Sequence, residues 1–184
     1  MDAPETAVRF AQLFFEFGDV AEPGFVGVAA DVLENCIRMV QKEAGGESPL
    51  YQYAAVLLVE MEAIARDERV RELYQEAYTS PAMFEAAVNR HVRLEMKIFG
   101  ESYGKLFKED EILARNYMVK GAMGGFINSF YFKDQPPVEE AEFLLLSLTF
   151  RVLGSKKKDI LPMLKSLDRK REVWAMMAKD ILKK

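Results

Sequence analysis

The chain contains little of the side-chain chemistry on which most enzymes depend. Among 184 residues it has one histidine, His91, and one cysteine, Cys36. A single cysteine excludes an internal disulfide and any zinc site built from several cysteines. A single histidine excludes a histidine pair for a metal, and no serine lies in the Gly-x-Ser-x-Gly pattern of a hydrolase nucleophile. We therefore expect no cofactor and no metal, and we expect that the chain is not an enzyme.

Long apolar runs are also missing. The longest stretches without a polar residue are only a few residues, which is too short to cross a bilayer. The N-terminal residues, MDAPETAVRF, lack the basic start of a secretory signal. These absences predict a cytoplasmic protein with no membrane partner. Because 50% of the residues are hydrophobic, the chain can fill the core of one domain spanning residues 1–184.

Helix start and stop signals recur along the chain, whereas the alternating pattern of a strand does not. Ser48-Pro49 and Ser80-Pro81 each combine a capping residue with a proline in the first helical turn. Gly45-Gly46 and Gly154 are stop signals. The pattern predicts an all-α fold of about nine helices. They are expected at about 4–17, 25–43, 48–66, 67–79, 80–99, 110–132 and 137–153, followed by two that start at the caps Asp159 and Asp168.

Two consecutive helices, 110–132 and 137–153, carry an unusual distribution of small and large side chains. The first contains three glycines in five residues, and a glycine inside a helix costs about 1 kcal/mol relative to alanine. The second carries leucines on one broad face. Such a hairpin is typical of half of a four-helix bundle that a second copy completes, although packing inside one domain remains the alternative. The predicted dimer residues are Met118, Gly121, Ala122, Gly125, Leu145, Leu148 and Val152.

The helices between 48 and 117 are rich in aromatic residues and methionines. Such side chains, with a few hydroxyls and one imidazole, are typical of a pocket for a hydrophobic ligand, and they are equally ordinary core residues. If the pocket exists, we expect an apolar cavity of about 300–1,000 Å³. The predicted ligand-binding residues are Tyr51, Met61, Tyr78, Phe84, His91 and Tyr117.

The order of these segments resembles the regulatory domain of TetR-type bacterial transcriptional regulators. Ser48 to Pro81 is similar to a helix pair of that domain, DEILARNYMVKGAMGGFINSFYF to its penultimate helix, and PVEEAEFLLLSLTFRVLG to its last. The resemblance covers about residues 48–153. It implies a homodimer that associates through a four-helix bundle and a small hydrophobic effector held among the helices of each subunit.

The DNA-binding half of that family matches only at its first helix. Phe10-Ala11-Gln12-Leu13-Phe14-Phe15-Glu16-Phe17-Gly18 has the Leu-Phe pair and the glycine at the family's spacing. The Gly-Val-Ser turn and the recognition helix that should follow are absent. We therefore expect contact with DNA only through a helix-turn-helix that is not recognisable in this chain. Residues 1–47 would be a degenerate remnant of that region, or a replacement for it, or the region was removed.

The charge distribution is uneven. Residues 1–150 hold 14 basic and 25 acidic side chains, whereas residues 151–184 hold 11 basic and 4 acidic. The basic end could meet nucleic acid, or its cations could be ordinary surface groups near helix C-termini.

Two other functions stay open. One is a helical adaptor or structural dimer without a ligand. The other is a helical-bundle enzyme that acts on an apolar substrate with His91 as its base.

Overall fold

The computed structural model describes residues 25–99 and 107–181, and within these ranges every regular element is a helix. In chain order the helices are α1 (Phe25–Ala44), α2 (Pro49–Arg66), α3 (Glu68–Thr79), α4 (Pro81–Phe99), α5 (Glu109–Ser129), α6 (Val138–Val152), α7 (Lys157–Asp168) and α8 (Arg171–Asp180). The all-α prediction is therefore confirmed for the described part of the chain. The predicted helix at 4–17 and its Leu-Phe pair lie outside the described residues.

The helix starts follow from the capping residues read in the sequence. The Ser48 hydroxyl accepts a hydrogen bond from the Tyr51 amide at 3.3 Å, and Pro49 occupies the first turn of α2. The Asp67 carboxylate accepts from the amides of Arg69 and Val70, so it caps α3. Gly154 has a φ of +83°, a left-handed conformation that glycine adopts without strain, and the chain leaves α6 there.

Two predicted caps near the C-terminus are wrong. Asp159 lies in the first turn of α7 rather than before it, and Asp168 is the last residue of α7. An aspartate is also favourable inside a first helical turn, where it faces the positive end of the helix dipole, so its presence does not fix the cap position. The Asp168 carboxylate instead accepts a hydrogen bond from Nε of Arg171 at 3.1 Å.

Helix α2 is the centre of the fold. It packs against α1, α3, α4, α6, α7 and α8, and its residues from Tyr53 to Ile64 are all buried. Two of these buried residues, Glu60 and Glu62, carry charges. A buried charge is costly unless it is paired. Arg66 of α2 itself pairs with Glu62, and the helices around α2 supply the other partners of the two carboxylates.

Helices α5 and α6 form a hairpin that contacts the rest of the bundle through one side. α5 packs on α3, α4 and α6, and α6 packs on α2, α5 and α7. None of the eight described helices combines the length and the apolar character that a membrane span requires.

Candidate functional site

A buried carboxylate, Glu60 of α2, lies where four helices meet. Its Oε1 accepts a hydrogen bond from the Tyr74 hydroxyl of α3 at 2.8 Å and lies 3.8 Å from Nζ of Lys120 on α5. Its Oε2 lies 3.9 Å from Nε2 of His91 on α4. All four side chains are buried. We call this group, with Tyr78 and Arg90 beside it, the core polar cluster.

A second carboxylate, Glu95 of α4, extends the core polar cluster. It accepts a hydrogen bond from the Tyr53 hydroxyl at 2.7 Å and another from Nδ2 of Asn116, also at 2.7 Å. Because Glu60 and Glu95 both attract the Lys120 ammonium, that buried cation is compensated from two helices.

Burial sets the protonation of the cluster. It lowers the pKa of His91 well below the usual range, and the nearby Lys120 and Arg90 cations lower it further. Burial also lowers the pKa of Lys120, which the two carboxylates oppose. The pKa values of the Tyr74 and Tyr78 hydroxyls are raised by burial and then by the Glu60 charge. The cluster therefore presents a neutral imidazole and neutral phenols beside a lysine–glutamate pair.

A small space of about 30 Å³ lies inside the core polar cluster. Its lining includes Glu60, Tyr78, His91 and Lys120, and it has room for about one water-sized group. Three lining atoms have no hydrogen-bond partner among the described residues: Oε2 of Glu60, Nε2 of His91 and the Tyr78 hydroxyl oxygen. The space therefore offers one carboxylate acceptor, one imidazole nitrogen and one hydroxyl to a polar group.

The structure brings together only part of the predicted ligand-binding set. Tyr78 and His91 line the space, and Phe84 and Tyr117 continue from Tyr78 as an aromatic row, with successive ring centroids 5.4 and 6.1 Å apart. Tyr117, at the end of this row, is 39% exposed. The other two predicted residues do not line the space, because Tyr51 packs against Trp174 of α8 and Met61 is fully buried in the core.

The space beside His91 differs from the apolar cavity of about 300–1,000 Å³ that the aromatic pattern predicts. It is roughly a tenth as large as the lower bound, and it is lined by charged groups. The sequence interpretation missed Glu60, Glu95 and Lys120. A signal for two of them was present, since Glu60 interrupts the apolar run of α2 and Lys120 lies between Val119 and the glycines of α5.

The α5–α6 hairpin exposes much of the predicted dimer surface. Met118 is 63% exposed and Leu148 is 44% exposed, while Ala122 and Val152 are half-buried. Leu145 is 7% exposed, whereas Leu144 beside it is 66% exposed and presents the larger apolar area on this surface. A shallow apolar groove runs between the two helices, lined by Ala122, Gly125, Phe126, Ser129, Pro136, Ala141, Leu144, Leu145 and Leu148.

The glycines of α5 differ in what surrounds them. A Cβ atom added at Gly124 would meet the Tyr78 ring at 3.2 Å, so internal packing accounts for that glycine. A Cβ added at Gly121 or Gly125 would meet nothing within 4 Å. These two glycines lower the helix propensity of α5, and no contact inside the described part of the chain requires them.

A scan against known protein families, a search of characterised proteins and a search of solved structures each find no match to this chain.

Proposed function

We propose that the chain is the dimerisation and effector-sensing domain of a TetR-like bacterial transcriptional regulator. The observation that carries this proposal is the exposed α5–α6 surface, where Gly121 and Gly125 face open space between exposed Met118, Leu144 and Leu148. Two glycines in mid-helix are explained if the backbone of another helix approaches there. A second copy that presents the same hairpin would supply that helix and form a four-helix bundle.

The proposed dimer makes a direct prediction of mass. The chain of 21.0 kDa should sediment at micromolar concentration with twice that mass, because two apolar hairpins bury an area in the range of homodimer interfaces, on the order of 2,000 Å².

Gly125→Leu should fill the space into which the partner helix approaches and weaken association by about 1–3 kcal/mol. Gly46→Ala is the control, since Gly46 has open space around it and lies in the turn after α1. A monomeric wild-type protein would contradict the proposal, and an unchanged dimer in Gly125→Leu would place the contact elsewhere.

The effector half of the proposal rests on the core polar cluster. The cluster joins α2, α3, α4 and α5, and the row Tyr78–Phe84–Tyr117 leads from it to the surface. A small, mainly hydrophobic effector could place one polar end against His91 and Glu60 and its apolar body along this row. The 30 Å³ space requires the helices to move apart first. The effector would then bind the arrangement with separated helices more tightly than the closed arrangement. A sensor requires such a difference in affinity between two arrangements.

A helical adaptor dimer without a ligand is the second candidate, and the small volume of the space beside His91 favours it. Thermal unfolding with a panel of small hydrophobic alcohols and phenols separates the two. For a sensor, we expect at least one compound to raise the midpoint of unfolding of the wild type, as binding to the folded state must. The increase should be lost in His91→Ala, while Glu72→Ala, at an exposed position of α3 outside both the core polar cluster and the α5–α6 groove, should retain it. If no compound stabilises the protein, the adaptor is supported.

A further inference from the structure

Three atoms around the small space in the core polar cluster have complementary hydrogen-bonding needs. Oε2 of Glu60 can only accept a hydrogen bond, whereas the Tyr78 hydroxyl can donate one, and both line the space together with Nε2 of His91. Glu60 and His91 are only 2% and 1% exposed, so these atoms are shielded from bulk water. Because a buried polar atom without a partner is costly, a group that pairs all three atoms would be held strongly.

The distance between Glu60 and His91 suits one bridging oxygen. Oε2 and Nε2 are 3.9 Å apart, which is too far for a direct hydrogen bond. An oxygen atom about 2.8 Å from each could bond to both, because their separation is less than twice that length. The space that both residues line has a volume of about 30 Å³, enough for one water-sized group.

The charged groups around the space limit the kind of head group that it can accept. Arg90 of α4 and Lys120 of α5 line it as cations, Glu60 lines it as an anion, and α3 contributes the neutral hydroxyls of Tyr74 and Tyr78. An ammonium would add a third cation beside Arg90 and Lys120. A carboxylate would bring a second negative charge against Oε2 of Glu60, and it has no proton to donate to that atom. The space therefore favours a neutral group.

Among neutral groups, a hydroxyl matches the three atoms. It has one O–H donor and two acceptor lone pairs. Its donor would satisfy Oε2 of Glu60, and its lone pairs would accept from the Tyr78 hydroxyl and from Nε2–H of His91. The His91 tautomer with its proton on Nε2 directs that N–H toward the Glu60 carboxylate, which is electrostatically favourable. A ketone or an ether could accept from both donors, but it would leave the Glu60 oxygen unpaired.

We propose that the space is a binding site for one neutral hydroxyl oxygen. In the free chain a water molecule bridges Glu60, His91 and Tyr78, and in a complex the hydroxyl of an effector replaces that water. The water does not depend on any effector, whereas its replacement rests on the effector-sensing function proposed above. The effector is then an alcohol or a phenol whose apolar body lies along the row Tyr78–Phe84–Tyr117.

The single histidine makes the bridging water observable by nuclear magnetic resonance. When the full chain is prepared with isotope-labelled histidine, the imidazole signals come from His91 alone. At about pH 7.5, we expect the neutral tautomer with its proton on Nε2 and a nuclear Overhauser cross peak between the carbon-bound imidazole protons and a long-lived water. The opposite tautomer, or the lack of a cross peak to water, would overturn the proposal whether or not any compound binds.

Four probes with the same phenyl body test the head group: 2-phenylethanol, ethylbenzene, phenylacetate and 2-phenylethylamine. Each is titrated into the labelled chain at about pH 7.5, where the acid is an anion and the amine is a cation. 2-Phenylethanol should shift the His91 signals, remove the water cross peak and bind about tenfold or more tightly than the other three. Equal or tighter binding of any of the other three would overturn the assignment to a hydroxyl. If no probe binds while the cross peak remains, the water site is confirmed and the effector-sensing function is the part that fails.

Tyr78→Phe removes one donor from the site and keeps the aromatic ring. It should weaken the binding of 2-phenylethanol about three- to tenfold, while Tyr131→Phe, an exposed tyrosine in the turn after α5, should leave it unchanged. The water cross peak should persist in Tyr78→Phe, because Glu60 and His91 still hold the water. Its loss there would assign the signal to the exchanging Tyr78 hydroxyl and overturn the water site. The measurements on the wild type remain decisive if the variant does not fold.

Discussion

At the scale of single residues, the most consequential feature is the set of charges buried around α2. Lys120 is among the largest fully buried side chains, and in the part of the chain that the structure describes the Glu60 and Glu95 carboxylates compensate its charge. Removing one member of a buried pair typically costs about 3–5 kcal/mol, because the other charge is left without a partner. We expect a core of this kind to specify the alignment of α2, α4 and α5 more strictly than apolar side chains, which can exchange contacts freely.

His91 should give stability a measurable pH dependence. Its pKa in the folded state is depressed by burial and by Lys120 and Arg90, so the unfolded chain binds a proton below about pH 6.5 that the folded chain does not. The free energy of unfolding should therefore fall as pH falls below 6.5, with a limiting slope of about 1.4 kcal/mol per pH unit from this residue. His91→Gln should remove this contribution, as measured by urea unfolding between about pH 5 and pH 7.5.

Glu142 changes the free energy of unfolding in the opposite direction over an overlapping pH range. The quantity to measure is therefore the difference between the wild-type and His91→Gln profiles. The folded pKa of Glu142 is raised by burial to about 7, so from about pH 4.5 to 7 the folded chain holds the extra proton and stability falls as pH rises. Subtracting the His91→Gln profile from that of the wild type cancels this effect. Parallel profiles would show that His91 is protonated in the folded state.

At the scale of helices, the sequence predicts positions well wherever a local interaction determines them. Ser48 and Asp67 accept hydrogen bonds from backbone amides two or three residues later, and Gly154 adopts a left-handed φ. Each of these interactions depends only on residues that are close in sequence. α5 ends at Ser129 although the apolar pattern continues to residue 132. The backbone amides of Tyr131 and Phe132 donate hydrogen bonds to the carbonyls three residues earlier, so the chain forms a turn there instead of continuing the α-helix. The hydrophobic pattern alone does not reveal where such a turn ends a helix.

The different exposure of Leu144 and Leu145 on α6 shows what helical periodicity cannot decide. Residues 143–146 are all apolar, so a helix drawn through them has no polar side to fix its rotation. The structure turns Leu145 and Leu146 inward and Leu144 and Leu148 outward. This rotation depends on α2 and α7, which lie far away in sequence and against which α6 packs.

At the scale of the whole molecule, the candidate site was only partly predictable for the same reason. His91 and Tyr78 could be selected as types of residue that line pockets, but their partners come from other helices. That Glu60, Lys120 and His91 meet depends on how α2, α4 and α5 cross. Side chains predicted as one apolar lining are consequently distributed between a polar centre, the core and the interface with α8.

In the folded chain, only part of the positive charge of the C-terminal region is available to a binding partner. Residues 151–184 have an excess of seven positive charges in the sequence. In the structure, Lys170 pairs with Glu43 at 3.2 Å, and Arg171 is held by three carboxylates. Lys156, Lys157 and Lys158, at the start of α7, are exposed.

We therefore predict that this chain does not bind duplex DNA with sequence selectivity. No described helix carries the basic, groove-reading surface of a recognition helix, and most of the chain is acidic. Any residual binding should come from the exposed cations of the C-terminal region, which include the three lysines at the start of α7 and Arg169. The lysines should contribute about −3 to the logarithmic slope with which affinity falls with salt, and replacing all three with glutamine should remove most of the binding.

Gel-shift titrations at several salt concentrations, with a specific and a scrambled duplex, measure the sequence selectivity and the salt dependence of the affinity. Sequence-selective binding at sub-micromolar concentration and physiological salt would contradict the prediction, because three surface lysines can neutralise phosphates but cannot distinguish bases.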